Sequence, residues 1–230
     1  MGLIVKKLEK TAVPPLAGGT YAGVCIGVVD LGEQYNERFK KVQNTVSLTF
    51  EIAGETVERG NGPEPRWLSR EYTKTLGEKA NLTRDLQKLL GEGDLDGFDL
   101  RALLGRACLL SEQCRERPDG ARFNRVEGLM ALPKGMPAPV AASETFLFDM
   151  DDPATHAVLP TLPQFLREKV ERSPTWARLH AGSEEMDLDE DEGDAPNEDD
   201  ASGRGAAPAP IPPDVDPETG ELLRPEDVPF

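Results

Sequence analysis

Hydrophobic and polar residues alternate along several short segments of the first 135 residues, and this alternation is typical of β-strands with one buried face. The clearest example is 45–52, in which Val46, Leu48, Phe50 and Ile52 occupy every second position. Four other segments carry strand-like patterns, at 20–31, 66–73, 106–116 and 122–132. The sequence therefore predicts five strands.

The spacing of the hydrophobic residues becomes helical between the third and fourth predicted strands. Leu82, Leu86 and Leu89 recur at intervals of three and four residues, and Gly91 is predicted to end this helix. A second short helix is predicted over 99–104. The order strand, strand, strand, helix, strand, strand is that of the OB-fold, a small five-stranded barrel that binds oligonucleotides.

The predicted fold class is therefore mainly β, an OB-fold-like five-stranded barrel with a helix between strands three and four. An SH3-like barrel and an unrelated α+β sheet are the alternatives. Gly23 and Gly27 lie inside the first predicted strand, where glycines mark a bulge or the bend that a small barrel needs. The charged segment 32–42 that follows this strand is predicted to be a loop.

The chain divides into four parts by composition. Residues 1–17 form a lead-in, and 18–135 form the predicted barrel. Residues 136–182 are a proline-bearing connector, in which Phe146, Leu147 and Phe148 are predicted to dock on the barrel. The connector ends in a short amphipathic helix with one apolar side, formed by Leu162, Phe165, Leu166 and Val170. Residues 183–230 form the fourth part, a tail.

Charge separates the tail from the rest of the chain. The net charge of −16 is almost all in residues 183–230, where 17 acidic residues face two basic ones. Residues 1–182 carry 25 acidic and 24 basic residues and can still present a basic surface. The tail has few large apolar residues to offset the entropy of ordering, so it is predicted to be disordered.

The sequence gives little support for catalysis, and no enzyme activity, cofactor or metal is expected. Cys25, Cys108 and Cys114 form no CxxC pair, which favours reduced thiols in a cytoplasmic protein. Asp149, Asp151 and Asp152 precede a proline and are interpreted as a turn, with a metal site as the alternative. No apolar run approaches the ~18 residues that a membrane span requires, so no membrane partner is expected.

Binding of single-stranded DNA needs cations that follow the phosphates and flat rings on which bases stack. Residues of both kinds lie in the predicted loop after strand one, in strand three and in strand five. The candidates are Tyr35, Arg38, Phe39, Lys40, Lys41, Arg66, Trp67, Arg70, Tyr72, Lys74, Arg122 and Arg125. Strands two and three and their flanking loops form the usual binding face of an OB-fold.

Each candidate also has a structural interpretation. Strand periodicity places Arg66, Arg70, Tyr72 and Lys74 on one face and Trp67 on the other. This parity favours a core position for Trp67, with a stacking platform as the alternative. The two strand arginines could instead form ion pairs with neighbouring glutamates, and the two loop lysines could be simply solvated.

The chain ends in an acidic, proline-containing peptide with a terminal phenylalanine, formed by Glu226, Asp227, Val228, Pro229 and Phe230. An apolar pocket could take the ring while basic residues take the charges. This end resembles the C-terminal tip of bacterial single-stranded-DNA-binding proteins, which recruits replication and repair enzymes. The alternative is a solubilising acidic tail that happens to end in phenylalanine.

A second resemblance is carried by segments 66–73, 78–82, 97–100, 104–108 and 132–135. These segments are similar to phage- and prophage-encoded single-stranded-DNA-binding-like proteins. The stretch between strands three and four is longer than in the usual bacterial single-stranded-DNA-binding protein. The resemblance implies sequence-nonspecific binding of single-stranded DNA in replication, recombination or repair, with partner enzymes recruited through the tip. A protein-interaction adaptor and an acidic mimic of DNA are the alternatives, and a homo-oligomer is compatible with the sequence.

Overall fold

Five long antiparallel strands dominate the computed structural model of the protein, which describes residues 13–37, 39–59, 62–91 and 93–181. The strands are β1 (Gly19–Asn36), β2 (Lys41–Arg59), β3 (Gly62–Thr73), β4 (Ala107–Glu116) and β5 (Arg122–Met130). Their order in the sheet is β3-β2-β1-β4-β5. The two edge strands, β3 and β5, approach within 8 Å between Cα atoms. The sheet is thus a curled half-barrel, and the predicted OB-fold-like, mainly β class is confirmed.

The long strand β1 makes this curl possible because it pairs with two neighbours. Its first part pairs with β4 over Gly19–Val24, and the part from Gly23 onward pairs with β2. The register between β1 and β2 shifts between Cys25 and Gly27, so Ile26 is an extra residue. This bulge lies beside one of the two glycines at which the sequence predicted a bend.

The prediction of a loop at 32–42 is wrong, because most of that segment belongs to the sheet. Strand β1 continues to Asn36 and β2 begins at Lys41, so the two strands form a hairpin arm. Tyr35 pairs with Val42, and Asn36 pairs with Lys41. Both faces of the end of the arm are largely polar, so it lacks the alternation by which the other strands were recognised. The two strands are joined by backbone pairing, and the Asn36 side chain also donates from Nδ2 to Gln43 Oε1 at 3.1 Å.

The inner face of the half-barrel packs against helix α1 (Asn81–Leu90). The alternating residues of β2 lie here, and Leu48 and Phe50 are almost completely buried. Gly91 ends the helix with a φ of 98°, as the sequence predicted. The second predicted helix is a short 3-10 turn at Leu100–Leu103.

A second hydrophobic core covers the outer face of β1. It is formed by the connector, which contains strand β6 (Phe146–Phe148), a 3-10 helix (Pro153–Thr161), α2 (Gln164–Glu171) and α3 (Pro174–Ala181). Strand β6 runs parallel to β1, and Phe148, Leu166 and Val170 are buried against Val29 and Leu31. Phe165, predicted on the apolar side of the helix, is instead 50% exposed. The connector therefore folds onto the sheet as an integral layer.

Candidate nucleic-acid interface

The inward face of β3 carries three of the predicted DNA-contacting side chains, and all three lie in the interior. Arg66 is 6% exposed and Tyr72 is 2% exposed, while the Arg70 side chain is 13% exposed. The parity of the strand was predicted correctly, but its faces were assigned the wrong way round. Helix α1 packs on the face that carries the arginines, and the sequence pattern gives no sign of this, because charged residues ordinarily point to solvent.

These buried groups form a hydrogen-bonded network with helix α1. The Tyr72 hydroxyl donates to Asp85 Oδ2 at 2.8 Å, and Arg70 Nη1 lies 3.1 Å from the same oxygen. Arg70 also lies over the Tyr72 ring, 4.9 Å from its centroid. Burial raises the pKa of Tyr72 well above its usual range, with the Asp85 carboxylate adding to the effect. The network holds α1 against β3. Arg66 Nη2 donates to the Pro14 carbonyl at 2.6 Å and ties down the lead-in.

Trp67 lies on the outer face of β3 and is 41% exposed, so the favoured core position is wrong. Its Nε1–H donates to Ser143 Oγ at 3.0 Å, and its ring lies 6.0 Å from that of Phe146. A groove of about 990 Å³ runs from this indole to Phe165, with Glu64 and Glu168 in its lining. The groove offers rings to a ligand, but its carboxylates disfavour phosphates.

The connector covers the outer face of β2, where an OB-fold usually binds its ligand. Glu51, 6% exposed, accepts hydrogen bonds from the backbone N–H groups of Ala142 and Ser143 at 2.7 and 2.9 Å. Burial alone raises the pKa of Glu51, but the hydrogen bonds from Ser143 and Ala142 outweigh it and lower the pKa below 4.5. Ser47 and Thr49 on the same face are also buried. This use of the face by the chain itself was not predicted from the sequence.

The tip of the β1–β2 hairpin arm presents the remaining aromatic candidates to solvent. Tyr35 is 63% exposed and Phe39 is 59% exposed. Lys40 and Lys41 are exposed beside them, and Lys41 Nζ lies 6.0 Å from the centroid of the Phe39 ring. Lys40 has a φ of 48°, so the turn is tight. The tip thus brings two rings and two ammonium groups together on one projecting element.

A second basic cluster lies at the turn end of the β4–β5 hairpin. Arg122 and Arg125 are exposed there, and Arg117 lies over the Phe123 ring at 5.1 Å. Arg125 Nε lies 3.3 Å from Glu127 Oε1, which reduces the free positive charge of the cluster. Strand β4 of this hairpin pairs with the start of β1. The β1–β2 tip lies at the opposite end of β1. The structure therefore does not bring the two clusters together.

Lys74 follows β3 and is held by a carboxylate. Its Nζ lies 2.7 Å from Asp30 Oδ2. Burial lowers the pKa of Lys74, but the hydrogen bond and the charge of Asp30 outweigh this effect and raise it. Carboxylate oxygens of Asp30, Asp149 and Asp151 all lie within 4.8 Å of one another. The Lys74 ammonium supplies a positive charge to this carboxylate cluster, so the cluster has a cationic partner within the protein itself.

Two of the three acidic residues in the predicted turn, Asp149 and Asp152, have structural partners of their own. Asp149 Oδ2 lies 2.6 Å from Arg101 Nη2, and the Asp152 side chain accepts the N–H of Ala154 at the start of a 3-10 helix. Burial raises the pKa of Asp149, but hydrogen bonds from Arg101 and the backbone of Asp151 outweigh it, so the pKa is lowered. These contacts fit the interpretation of the segment as a turn.

Some predicted residues lie outside the part of the chain that the structure describes. They are Arg38, Glu226, Asp227, Val228, Pro229 and Phe230. Within the described residues, no helix is both long and apolar enough to cross a membrane. A comparison of the sequence with known protein families and with curated proteins gives no significant match to this chain.

Proposed function

We propose that this protein binds single-stranded DNA without sequence preference, and that the tip of the β1–β2 arm is its principal contact. The observation that carries the proposal is the exposure of Tyr35 and Phe39 beside Lys40 and Lys41. Large rings that are more than half exposed contribute nothing to a core. Rings beside ammonium groups are the combination that single-strand binding requires.

The position of this tip in the fold supports the proposal. In an OB-fold, the loop between strands one and two flanks the oligonucleotide site. Here the connector occupies much of the β2 face, since Glu51 holds Ala142 and Ser143 over it. The projecting arm remains an accessible part of this region. Rings on an arm can stack with unpaired bases, while the bases of a duplex are already stacked on one another.

The acidic tail has a separate role in this proposal. Its net charge of −15 against a nearly neutral remainder lets it compete with DNA for the lysines of the arm. The ring and carboxylate of Phe230, with Glu226 and Asp227, would be captured by a basic, apolar pocket of a replication or repair enzyme. The tail would raise the local concentration of such an enzyme at the bound strand.

The test is fluorescence anisotropy of labelled oligo-dT and of a duplex of equal length. We expect the protein to prefer the single strand, with affinity that falls as salt is added. A stacked base contributes about 1–3 kcal/mol, so replacing both Tyr35 and Phe39 with alanine should weaken binding by about 30-fold or more. The control is Phe165→Ala, which removes a 50% exposed ring from helix α2, outside the arm. Equal binding by the two variants would refute the assignment of the tip.

The tail is tested with a chain that ends at Gly182. We expect this truncation to bind oligo-dT more tightly at low salt and about equally at high salt, because the competition is electrostatic. An unchanged low-salt affinity would exclude competition by the tail. If neither chain binds DNA, the proposal fails, and the adaptor hypothesis predicts that the Phe230 peptide still captures its partner.

A further inference from the structure

A cavity of about 440 Å³ lies between helix α1, strands β1 and β2, the segment after β3 and the connector. Its walls come from β1, β2, the segment after β3, helix α1, the segment 96–101 and β6. This volume lies in the range of sites for small ligands. The cavity lies apart from the proposed DNA-binding tip, which has none of its residues among the lining.

The floor of the cavity is apolar. Val28 and Val46 contribute from the sheet, Leu82 and Leu86 from the helix, and Phe98 from the segment that follows it. The mouth is open to solvent, since the exposed side chain of Leu76 and the exposed Gly97 are also part of the lining. An apolar floor below a polar mouth favours a ligand with an apolar body and a polar head.

The charges at the mouth decide which head group fits. Two cations line the cavity, and both are already paired: Lys74 with Asp30 at 2.7 Å, and Arg101 with Asp149 at 2.6 Å. Two further carboxylates in the lining, those of Asp96 and Asp99, bring the balance to four acids against two bases. An anionic head would have to break an ion pair and would face the remaining carboxylates. A cationic head would meet a net negative mouth.

We infer that this cavity is a binding site for a small organic cation, with an aliphatic or aromatic body on the apolar floor and an ammonium group at the carboxylates of the mouth. The site is independent of DNA binding, because the same carboxylates repel phosphates. Primary amines with a single ring are the simplest members of this class, and a ring of that size fits a cavity of about 440 Å³.

Three probes with the same ring separate the contributions of body and head. Phenethylamine carries a cation, 2-phenylethanol is neutral and 3-phenylpropionate is an anion. We expect the full-length protein to bind phenethylamine at least about threefold more tightly than the alcohol, and the alcohol more tightly than the acid. In methyl-labelled protein, the NMR signals of Val28, Leu82 and Leu86 should shift on addition of the amine. Equal affinities, no binding at millimolar concentrations, or shifts confined to other methyl groups would each overturn the proposal.

Charge removal at the mouth provides the second test. Asp96→Asn with Asp99→Asn keeps the side-chain oxygen that accepts the N–H of Arg101, so the turn there should persist. We expect weaker binding of phenethylamine by about threefold or more, with 2-phenylethanol unchanged. The control is Asp119→Asn, in the turn of the β4–β5 hairpin, where the same change keeps the side-chain oxygen that accepts the N–H of Ala121. The inference would also be overturned if the control variant lost amine binding, or if the mouth variant bound the amine as tightly as the unaltered protein.

Discussion

Glu51 binds the connector to the outer face of the sheet through two hydrogen bonds. Replacing Glu51 with glutamine tests how much these bonds stabilise the connector. Glu51 is 6% exposed, and its carboxylate accepts hydrogen bonds from the backbone N–H groups of Ala142 and Ser143 at 2.7 and 2.9 Å. Glutamine has nearly the same shape but only one acceptor oxygen. Its amide group would face one of the two N–H donors, so one hydrogen bond is lost and the other becomes weaker.

The size of the effect follows from hydrogen bonds to a charged acceptor, which contribute about 1.5–3 kcal/mol each. Loss of one such bond corresponds to a fall of about 10- to 100-fold in the protection of the Ala142 and Ser143 amides against hydrogen exchange. The amide of Leu110, in the core of β4, serves as the control and should change much less. Unchanged protection at Ser143, or an equal fall at Leu110, would refute the proposed local fastening.

The same group makes the attachment sensitive to acid. The pKa of Glu51 is lowered in the folded protein, so the charged form stabilises the fold. This stabilisation is fully present above about pH 4.5, the ordinary value, and is lost as the pH falls through the lowered pKa. Glu51→Gln should remove this part of the pH dependence. Unfolding by urea between pH 3 and pH 7 measures it, and parallel curves for the two proteins would contradict the assignment.

Three further predictions concern the folded core. Gly27→Ala would place a Cβ 2.2 Å from the ring of Phe146 and should destabilise the protein by about 1–3 kcal/mol. Chemical denaturation measures this loss, and combining the change with Phe146→Leu should restore part of it. Asp85→Ala leaves the buried charge of Arg70 without its partner and should lower the free energy of unfolding by about 3–5 kcal/mol. Tyr72→Phe should lower it by only about 1–2 kcal/mol, and equal losses in the two variants would argue against the network. Cys114 should be the one cysteine that reacts rapidly with a thiol reagent at pH 8, because burial raises the thiol pKa of Cys25 and Cys108 to about 12. Rapid reaction of all three thiols in the native protein would contradict this prediction.

Local sequence pattern predicted the strands in which apolar residues occupy one face. The alternation of Val46, Leu48, Phe50 and Ile52 corresponds to an inner face that is buried throughout. Gly91 ends helix α1, since its φ of 98° is available mainly to glycine. Such features depend on neighbouring residues alone, and they were sufficient to predict the order of elements and hence the OB-fold-like class.

The candidate interface was predicted less well, because exposure is decided by distant packing. Tyr35 and Phe39 are exposed at the end of the arm, but the arm itself was predicted to be a loop. On β3, the alternation was correct, yet it could not indicate which face α1 would cover. Trp67, for which a core position was favoured, is consequently exposed, and the candidate contact residue Tyr72 is buried.

The sequence by itself determined the order of the five strands and helix α1, the bend near Gly27 and the separation of an acidic tail from a nearly neutral remainder. Each of these depends on local backbone preference or on composition. The tertiary structure alone decided that the connector covers the β2 face through Glu51, and that Lys74 and Asp30 meet at the mouth of a cavity. Those contacts join residues 44 to 92 positions apart. Their energy depends on how the layers pack together, which no short stretch of the chain encodes.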